Sequence, residues 1–185
     1  MAQTVKSFDI VAIQKVVAGY RGSQAAAKLS KELNGSGVKW DYAISDPAAS
    51  SGYKTERYAF LWKTAIVKKL GKPLLEKHFR LEIDREPFFC TFEYKNKSFT
   101  VVNFHAITKK QQPETEIEHL KFLTDLYPDL NLIFVGDFNC TQFHTVFNPL
   151  KKSGYVMLLV GQKTTLKKRI KYDNHLASKF DNMFY

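Results

Sequence analysis

The stretch Leu132–Cys140, LIFVGDFNC, carries the strongest information in the sequence about the fold. A four-residue apolar run ends on Gly136, and the acid Asp137 and the amide Asn139 follow it with one aromatic residue between them. Side chains two residues apart in an extended chain point to the same side. The stretch therefore predicts a buried strand that presents a carboxylate and an amide together at its end. A tight turn stabilised by an Asp is the alternative.

The segments around this stretch predict both strands and helices. Within residues 8–17, the apolar residues 10–13 run without alternation, which predicts a short strand buried on both faces. Residues 22–35 predict a helix with Ser23 as its N-cap and a stop at Asn34-Gly35. Residues 87–107 predict a hairpin whose second arm turns Asn103 and His105 outward.

The second half of the chain continues the mixture. Residues 113–128 place apolar side chains at helical intervals and predict one helix between two prolines. Residues 155–160, YVMLLV, predict a strand, and residues 161–171 predict a basic link. Because hairpins are mixed with helix-linked strands, the sequence predicts an α/β domain with mixed sheets.

Length and composition predict one domain over residues 1–185. The chain is 44% hydrophobic and 14% aromatic, enough for one sizeable core. No apolar run approaches the ~20 residues that span a bilayer, so we expect no membrane partner. The first residues, MAQTVKSF, lack the pattern of a secretion signal, and Cys90 and Cys140 do not define a compartment. The cellular location stays open.

The charge of the chain points to a polyanion. The formal net charge is +10, and basic residues cluster in residues 150–152 and 165–171. Such a balance favours nucleic acid as a partner. A basic surface that only keeps the chain soluble is the alternative.

Polar residues suited to phosphate-ester hydrolysis stand at the ends of several predicted strands. They are Glu56, His105, Asp137, Asn139 and Asp173. Hard divalent cations prefer carboxylate and amide oxygens, and a paired histidine can move a proton. Taken singly, each residue has a plainer role, because an Asp at a strand end commonly forms a turn.

The order of six motifs resembles the deoxyribonuclease I-like endonuclease/exonuclease/phosphatase superfamily. The motifs DIVAIQ, SGYKTERYAFLW, IDREPF, VVNFHA, VGDFN and YDNHLAS follow one another between residues 8 and 178. The second and third are closest to the deoxyribonuclease I branch. The resemblance implies mixed β-sheets packed as a sandwich flanked by helices, in four α/β/β/α layers.

The resemblance also implies roles for individual residues. Glu56 resembles the acid that orients a catalytic histidine, and His105 resembles that histidine. Arg85 resembles a guanidinium that contacts phosphate, whose planar fork suits this ligand. Tyr53 resembles a tyrosine that reaches the DNA backbone or minor groove.

Three further residues complete the implied site. Asp137 resembles the residue that binds the metal or activates the attacking water, and Asn139 the amide that fixes the water and the scissile phosphate. Asp173 resembles the acid that holds a second histidine. The implied cofactor is Mg²⁺, with Mn²⁺ or Ca²⁺ as alternatives, and the implied partner is DNA.

The sequence departs from the family pattern at the metal. The family places Glu, its main metal-binding carboxylate, where this chain has Lys15. An ammonium cannot ligate Mg²⁺, and it would repel the ion. We therefore expect Lys15 to pair with Asp137 or Asp173 and to mimic the charge of the cation without acting as a Lewis acid.

The sequence also departs from the family pattern at both ends. The opening strand of the family and its closing Ser-Asp-His stretch have no counterpart, and His175 is a poor substitute for the second histidine. We expect a domain that lacks its first and last strands. Either the sequence is a fragment, or a rearranged end or self-association supplies the missing strand pairing, and the oligomeric state stays open.

Three functions remain in competition. The first is a divalent-metal-dependent DNA endonuclease with little sequence preference, impaired by Lys15. The second is a catalytically inactive module of the same fold that binds nucleic acid or protein. The third is a phosphoesterase that acts on a substrate other than nucleic acid.

Overall fold

The computed structural model describes residues 1–49, 55–171 and 174–185, and these form five α-helices and ten strands. The helices are α1 Ala2–Val5, α2 Tyr20–Asn34, α3 Glu114–Ile117, α4 Leu120–Leu126 and α5 Asn148–Lys152. The strands are β1 Ile10–Val17, β2 Trp40–Ile44, β3 Glu56–Lys63, β4 Lys68–Leu75, β5 Phe88–Tyr94, β6 Lys97–His105, β7 Leu132–Asp137, β8 Leu166–Lys171, β9 Asn174–Leu176 and β10 Asp181–Phe184. Within these ranges, no helix combines the length and the apolar character needed to cross a membrane.

Two sheets form the centre of the molecule. The first has the strand order β1-β3-β2 and is antiparallel throughout. The second has the order β10-β7-β6-β5-β4 and is mixed, because β6 and β7 run parallel while its other neighbours are antiparallel. The predicted mixed sheets are confirmed.

An aromatic core lies between the two sheets. Phe60 of β3 stacks on Phe88 of β5 with ring centroids 5.4 Å apart, and Trp62 meets Phe92 edge-on at 5.6 Å. Such pairs bury large apolar areas in well-defined geometries. These ring contacts between β3 and β5 hold the two sheets face to face.

Helices cover the outer faces of both sheets. Leu29 and Leu33 of α2 pack on Trp40 and Leu61 of the first sheet. The helices α3, α4 and α5 contribute buried residues to the core on the outer face of the second sheet, where Phe104 and Phe134 lie. This order confirms the expected α/β/β/α layers.

The first long helix begins earlier than the sequence predicts. Its N-cap is Gly19, so Ser23 lies inside the helix rather than at its cap. The early start brings the first turn against the end of β1. A Cβ on Gly22 would lie 1.8 Å from the carbonyl oxygen of Val17. The close approach therefore depends on glycine at this position.

The predicted helix over residues 113–128 is broken into α3 and α4. Between them the backbone N–H of His119 donates to the carbonyl of Glu116 at 3.1 Å, and that of Phe122 to His119 at 3.0 Å. These three-residue steps tighten the turn. Apolar residues on both sides of the break are consequently fully buried.

Two predictions for the last third of the chain were wrong. The stretch YVMLLV forms only an isolated bridge, Met157 to Phe184, with backbone bonds from Val156 and Leu158 to the C-terminal segment, and at Leu159 the partner is the side chain of Asn182. The basic segment expected as a link instead forms β8, which pairs with β9.

The C-terminal strand β10 lies at the edge of the second sheet, next to β7, and supplies strand pairing that the sequence analysis expected to be missing. It pairs antiparallel with β7 from Asp181↔Asp137 to Phe184↔Phe134. β1, in contrast, pairs within the described residues with β3 alone and is only partly buried. The expectation that β1 is buried on both faces was wrong, because it lies at the edge of its sheet.

Candidate active site

Five of the predicted site residues converge where the strands of the two sheets end. They are Glu56, Arg85, His105, Asp137 and Asn139. The parallel pairing of β6 and β7 sets His105 directly opposite Asp137. Tyr53 and Asp173 lie outside the described residues, so their predicted roles stay predictions.

The first wall of the site is a histidine–carboxylate pair. The Nδ1 atom of His105 is hydrogen-bonded to Oε1 of Glu56, and both side chains are almost fully buried. The other ring nitrogen, Nε2, lies 4.0 Å from Oδ2 of Asp137. A carboxylate on one ring nitrogen selects the tautomer and stabilises the charged ring, which suits the other nitrogen for proton transfer.

Arg85 ties this pair to the end of β6. Its Nη1 donates to the carbonyl oxygens of His105 at 3.1 Å and Ala106 at 2.8 Å. Its Nε lies 3.4 Å from Oε1 of Glu56. Part of the guanidinium is thus occupied by contacts within the protein. Arg85 therefore orients Glu56 in addition to placing a positive charge at the site.

The turn after β7 needs a glycine and an unusual asparagine. Gly136 has φ 147°, and a Cβ there would lie 1.8 Å from the carbonyl oxygen of Phe104. Asn139 has φ 48°, in the left-handed region that Asn tolerates better than most residues. Its backbone N–H donates to Oδ1 of Asp137 at 3.0 Å, and its Nδ2 to the carbonyl of Ala106 at 2.8 Å. The turn therefore holds the acid and the amide beside β6.

The second wall of the site is an ion pair between Lys15 and Asp137. The register of β1 shifts between Ile13 and Val16, and Lys15 in this bulge has φ 61°. Bulges commonly re-aim a side chain. Here Nζ of Lys15 lies 2.6 Å from Oδ2 of Asp137, with Lys15 57% and Asp137 8% exposed. Of the two expected partners, the structure places Asp137 against the ammonium.

A buried amide pair supports the bulge. Asn103 was expected to face outward, but it is fully buried between the sheets. Its Oδ1 accepts from Nε2 of Gln14 at 2.5 Å, and its Nδ2 donates to the carbonyl of Ile13 at 3.1 Å. The outward face of β6 is covered by β1 and β3, which a strand pattern alone does not reveal. These bonds fix the segment directly before Lys15.

Sequence reasoning missed Glu116. This fully buried side chain accepts from the backbone N–H of Asp84 and of Ile107, both at 2.7 Å. Burial raises the pKa of its carboxyl. Because these two N–H groups belong to the residues next to Arg85 and Ala106, Glu116 fixes the backbone that positions both site residues. The available signal was an acid beside Ile117 on the buried side of the predicted helix.

A cavity of about 820 Å³ opens between the two walls. Its titratable lining consists of Lys15, Glu56, Arg85 and His105, and its other lining residues are Val17, Ala18, Gly19 and Thr55. Two permanent cations beside a buried histidine suit a phosphate group.

The described carboxylates do not fit a divalent cation at this place. Glu56 is engaged by His105 and Arg85, while Asp137 is engaged by Lys15 and by the N–H of Asn139. An ammonium 2.6 Å from Asp137 takes the charge that a cation would otherwise supply. Enzymes of this fold generally depend on a divalent metal, but the identity of any ion for this chain stays a prediction.

Comparison with known proteins agrees with the architecture. No profile of a known family matches the chain. A deoxyribonuclease from a Thioalkalivibrio species is 27% identical across the whole of this chain, which spans 52% of that protein. The chain thus corresponds to about half the length of that relative.

Two solved structures illustrate the similarity of the fold. An endonuclease/exonuclease/phosphatase family protein from Leptotrichia buccalis superposes with a TM-score of 0.68 at 16% identity, covering 99% of this chain and 78% of that one. A mannosyl-6-phosphatase from Bacteroides thetaiotaomicron has a TM-score of 0.63 at 18% identity, covering 99% and 73%. This chain therefore has the deoxyribonuclease I-like fold of the endonuclease/exonuclease/phosphatase superfamily.

Proposed function

We propose that this chain is a phosphodiesterase of the deoxyribonuclease type that acts on DNA with little sequence preference. The observation that carries the proposal is the buried His105–Glu56 pair, which lines the same 820 Å³ cavity as Lys15 and Arg85. The net charge of +10 supports a polyanionic substrate. The similarity to a deoxyribonuclease at 27% identity supports the same class.

The residues suggest how the chain would act on a phosphodiester. Arg85 and Lys15 bring positive charge to the phosphate. In the proposed hydrolysis a water attacks phosphorus and releases its proton to solvent, while Nε2 of His105, whose ring is held through Nδ1 by Glu56, passes a proton to the leaving oxygen. Asn139, fixed by its bond to Ala106, lies beside the carboxylate of Asp137.

Lys15 limits the expected rate. An ammonium stabilises negative charge, but it supplies neither Lewis-acid coordination nor a bound water of lowered pKa. Its ion pair also occupies Oδ2 of Asp137, an oxygen that could otherwise accept a hydrogen bond from the attacking water. We therefore expect slow cleavage rather than the turnover of a metal-loaded nuclease.

The ion pair between Lys15 and Asp137 also favours a second candidate, a module that binds DNA without cutting it. At 2.6 Å, the pair completes the charge balance of the site without any ion. In this case the His105–Glu56 pair would be a structural feature of the cavity wall.

Nicking of supercoiled plasmid distinguishes the two. Purified protein would be assayed with Mg²⁺, with Mn²⁺ and with EDTA, beside His105→Gln and with DNA binding measured in parallel. Nicking by the parent chain that His105→Gln loses supports the phosphodiesterase. Binding without nicking in all conditions replaces it with the binding module.

A further inference from the structure

A second group of titratable side chains lies on the far side of the turn that follows β7. It consists of Glu114 at the start of α3, Cys140 directly after Asn139, and His144 before the short 3₁₀ turn Thr145–Phe147. Cys140 is 4% exposed, whereas the side chains of Glu114 and His144 are 33% and 40% exposed. None of the three takes part in the site described above.

Only long, weak contacts join the three ligand atoms, including a sulfur hydrogen bond from Cys140 to Glu114. Sγ of Cys140 lies 3.9 Å and Nε2 of His144 lies 3.6 Å from the same oxygen, Oε1 of Glu114. All three ligand atoms lie within 4.8 Å of one another. A nitrogen–oxygen separation of 3.6 Å is too long for a good hydrogen bond. The groups therefore converge on a common point without bonding strongly to each other.

A metal ion explains such a convergence. With Zn–S bonds of about 2.3 Å and Zn–N or Zn–O bonds of about 2.0–2.2 Å, ligand atoms around tetrahedral Zn²⁺ lie roughly 3.3–3.6 Å apart. The nitrogen–oxygen separation of 3.6 Å lies at the upper end of this range, and the sulfur–oxygen separation of 3.9 Å exceeds it by a few tenths of an ångström. A thiolate with an imidazole and a carboxylate also selects zinc-like ions over Mg²⁺ or Ca²⁺.

We propose that Glu114, Cys140 and His144 bind one Zn²⁺ or a similar divalent transition metal. Glu114 and His144 line a pocket of about 350 Å³, which gives solvent access to a fourth coordination position. The ion would join α3 and the 3₁₀ turn to the segment that carries Asn139. The proposal is independent of the proposed phosphodiesterase activity.

Metal binding would change the hydrogen bonding of two ligands. Nδ1 of His144 accepts from the N–H of Val146 at 3.2 Å, so in the neutral ring the proton is on Nε2. Coordination through Nε2 moves that proton to Nδ1 and breaks the bond to Val146. Burial raises the pKa of the Cys140 thiol to about 11, and coordination would release its proton to solvent.

Titration of the purified chain with Zn²⁺ against a chromophoric chelator, and with Co²⁺ followed by absorption, tests the site. We expect one tight Zn²⁺ per chain, a thiolate-to-cobalt charge-transfer band, and a shift of the Val146 amide resonance. The thiolate band separates this site from any oxygen-ligand site near Lys15, and it does not depend on nuclease activity.

Three variants decide the assignment. Cys140→Ser and His144→Gln are expected to weaken Zn²⁺ binding by roughly 100-fold or more and to abolish or alter the thiolate band. Cys90→Ser is the matched control, because Cys90 is an equally buried free thiol in the core between the sheets. If Cys140→Ser fails to fold, the partly exposed His144→Gln still gives the answer. Absence of stoichiometric binding, or binding that survives His144→Gln unchanged, overturns the proposal.

Discussion

The two walls of the main cavity differ in how closely their charged residues match those that the family resemblance implies. On one wall, Glu56 and His105 form a buried acid–base pair supported by Arg85. On the other, Lys15 stands where the family resemblance implies a metal-binding carboxylate, and it is paired with Asp137. The backbone around both walls is well supported by hydrogen bonds. The same scaffold can thus carry a reversed charge when a neighbouring group compensates it, so the geometry of one wall does not establish the chemistry of the other.

The largest expected effect concerns the first wall of the site, the His105–Glu56 pair. His105→Gln removes the group that moves the proton, so we expect nicking to fall by about 10²–10⁴-fold while DNA binding remains. Plasmid nicking and a filter-binding assay measure the two quantities. His175→Gln is the control, since His175 is exposed and takes no part in the described site. Equal loss in both variants would contradict the assignment.

The next largest effect concerns the second wall of the site, the Lys15–Asp137 ion pair. Lys15→Glu replaces an ammonium with a metal-ligand type beside Asp137, so we expect nicking to become Mg²⁺-dependent and to rise by roughly 100-fold. Without Mg²⁺ the adjacent carboxylates repel each other, and the ion should raise the melting temperature of this variant alone.

Lys15→Met provides the matched control for this change. It removes the cation without supplying a ligand, so neither activity nor melting temperature should respond to Mg²⁺. A Mg²⁺ response in Lys15→Met equal to that of Lys15→Glu would show that the lysine does not occupy the position of the metal.

A smaller effect tests the support that the cavity receives from Glu116. Glu116→Gln keeps one acceptor but turns an N–H₂ group toward the backbone N–H of Asp84 or Ile107. We expect a loss of about 1–3 kcal/mol in the free energy of unfolding, measured by urea denaturation. The exposed Glu118→Gln should change stability little. Equal values for the two variants would show that the buried contacts contribute nothing.

The smallest effect tests Arg85. Arg85→Lys keeps the charge but loses the planar fork that contacts the carbonyls of His105 and Ala106. We expect roughly tenfold weaker DNA binding and a comparable drop in nicking. Titration of a labelled duplex at fixed salt measures the first, and unchanged affinity would assign Arg85 to positioning of Glu56 alone.

Much of the fold could be predicted from short-range patterns. The hairpin β5–β6 follows from two β-branched and aromatic arms around a polar tip, where Lys95 and Asn96 adopt positive φ. The start of α2 and the break before α4 could not be predicted, because a close backbone approach at Gly22 and buried contacts around Glu116 set them. Such contacts join segments far apart in the chain and leave no periodic signal.

Local residue types and their spacing were enough to predict most strands, the order of the family motifs, the basic charge and a lysine at the metal-ligand position. The folded arrangement was needed to show that Lys15 pairs with Asp137, that His105 meets a glutamate 49 residues away, and that β10 completes the second sheet. The reason is physical: side-chain pairing depends on the register and packing of distant strands, and these are set by the folded core as a whole.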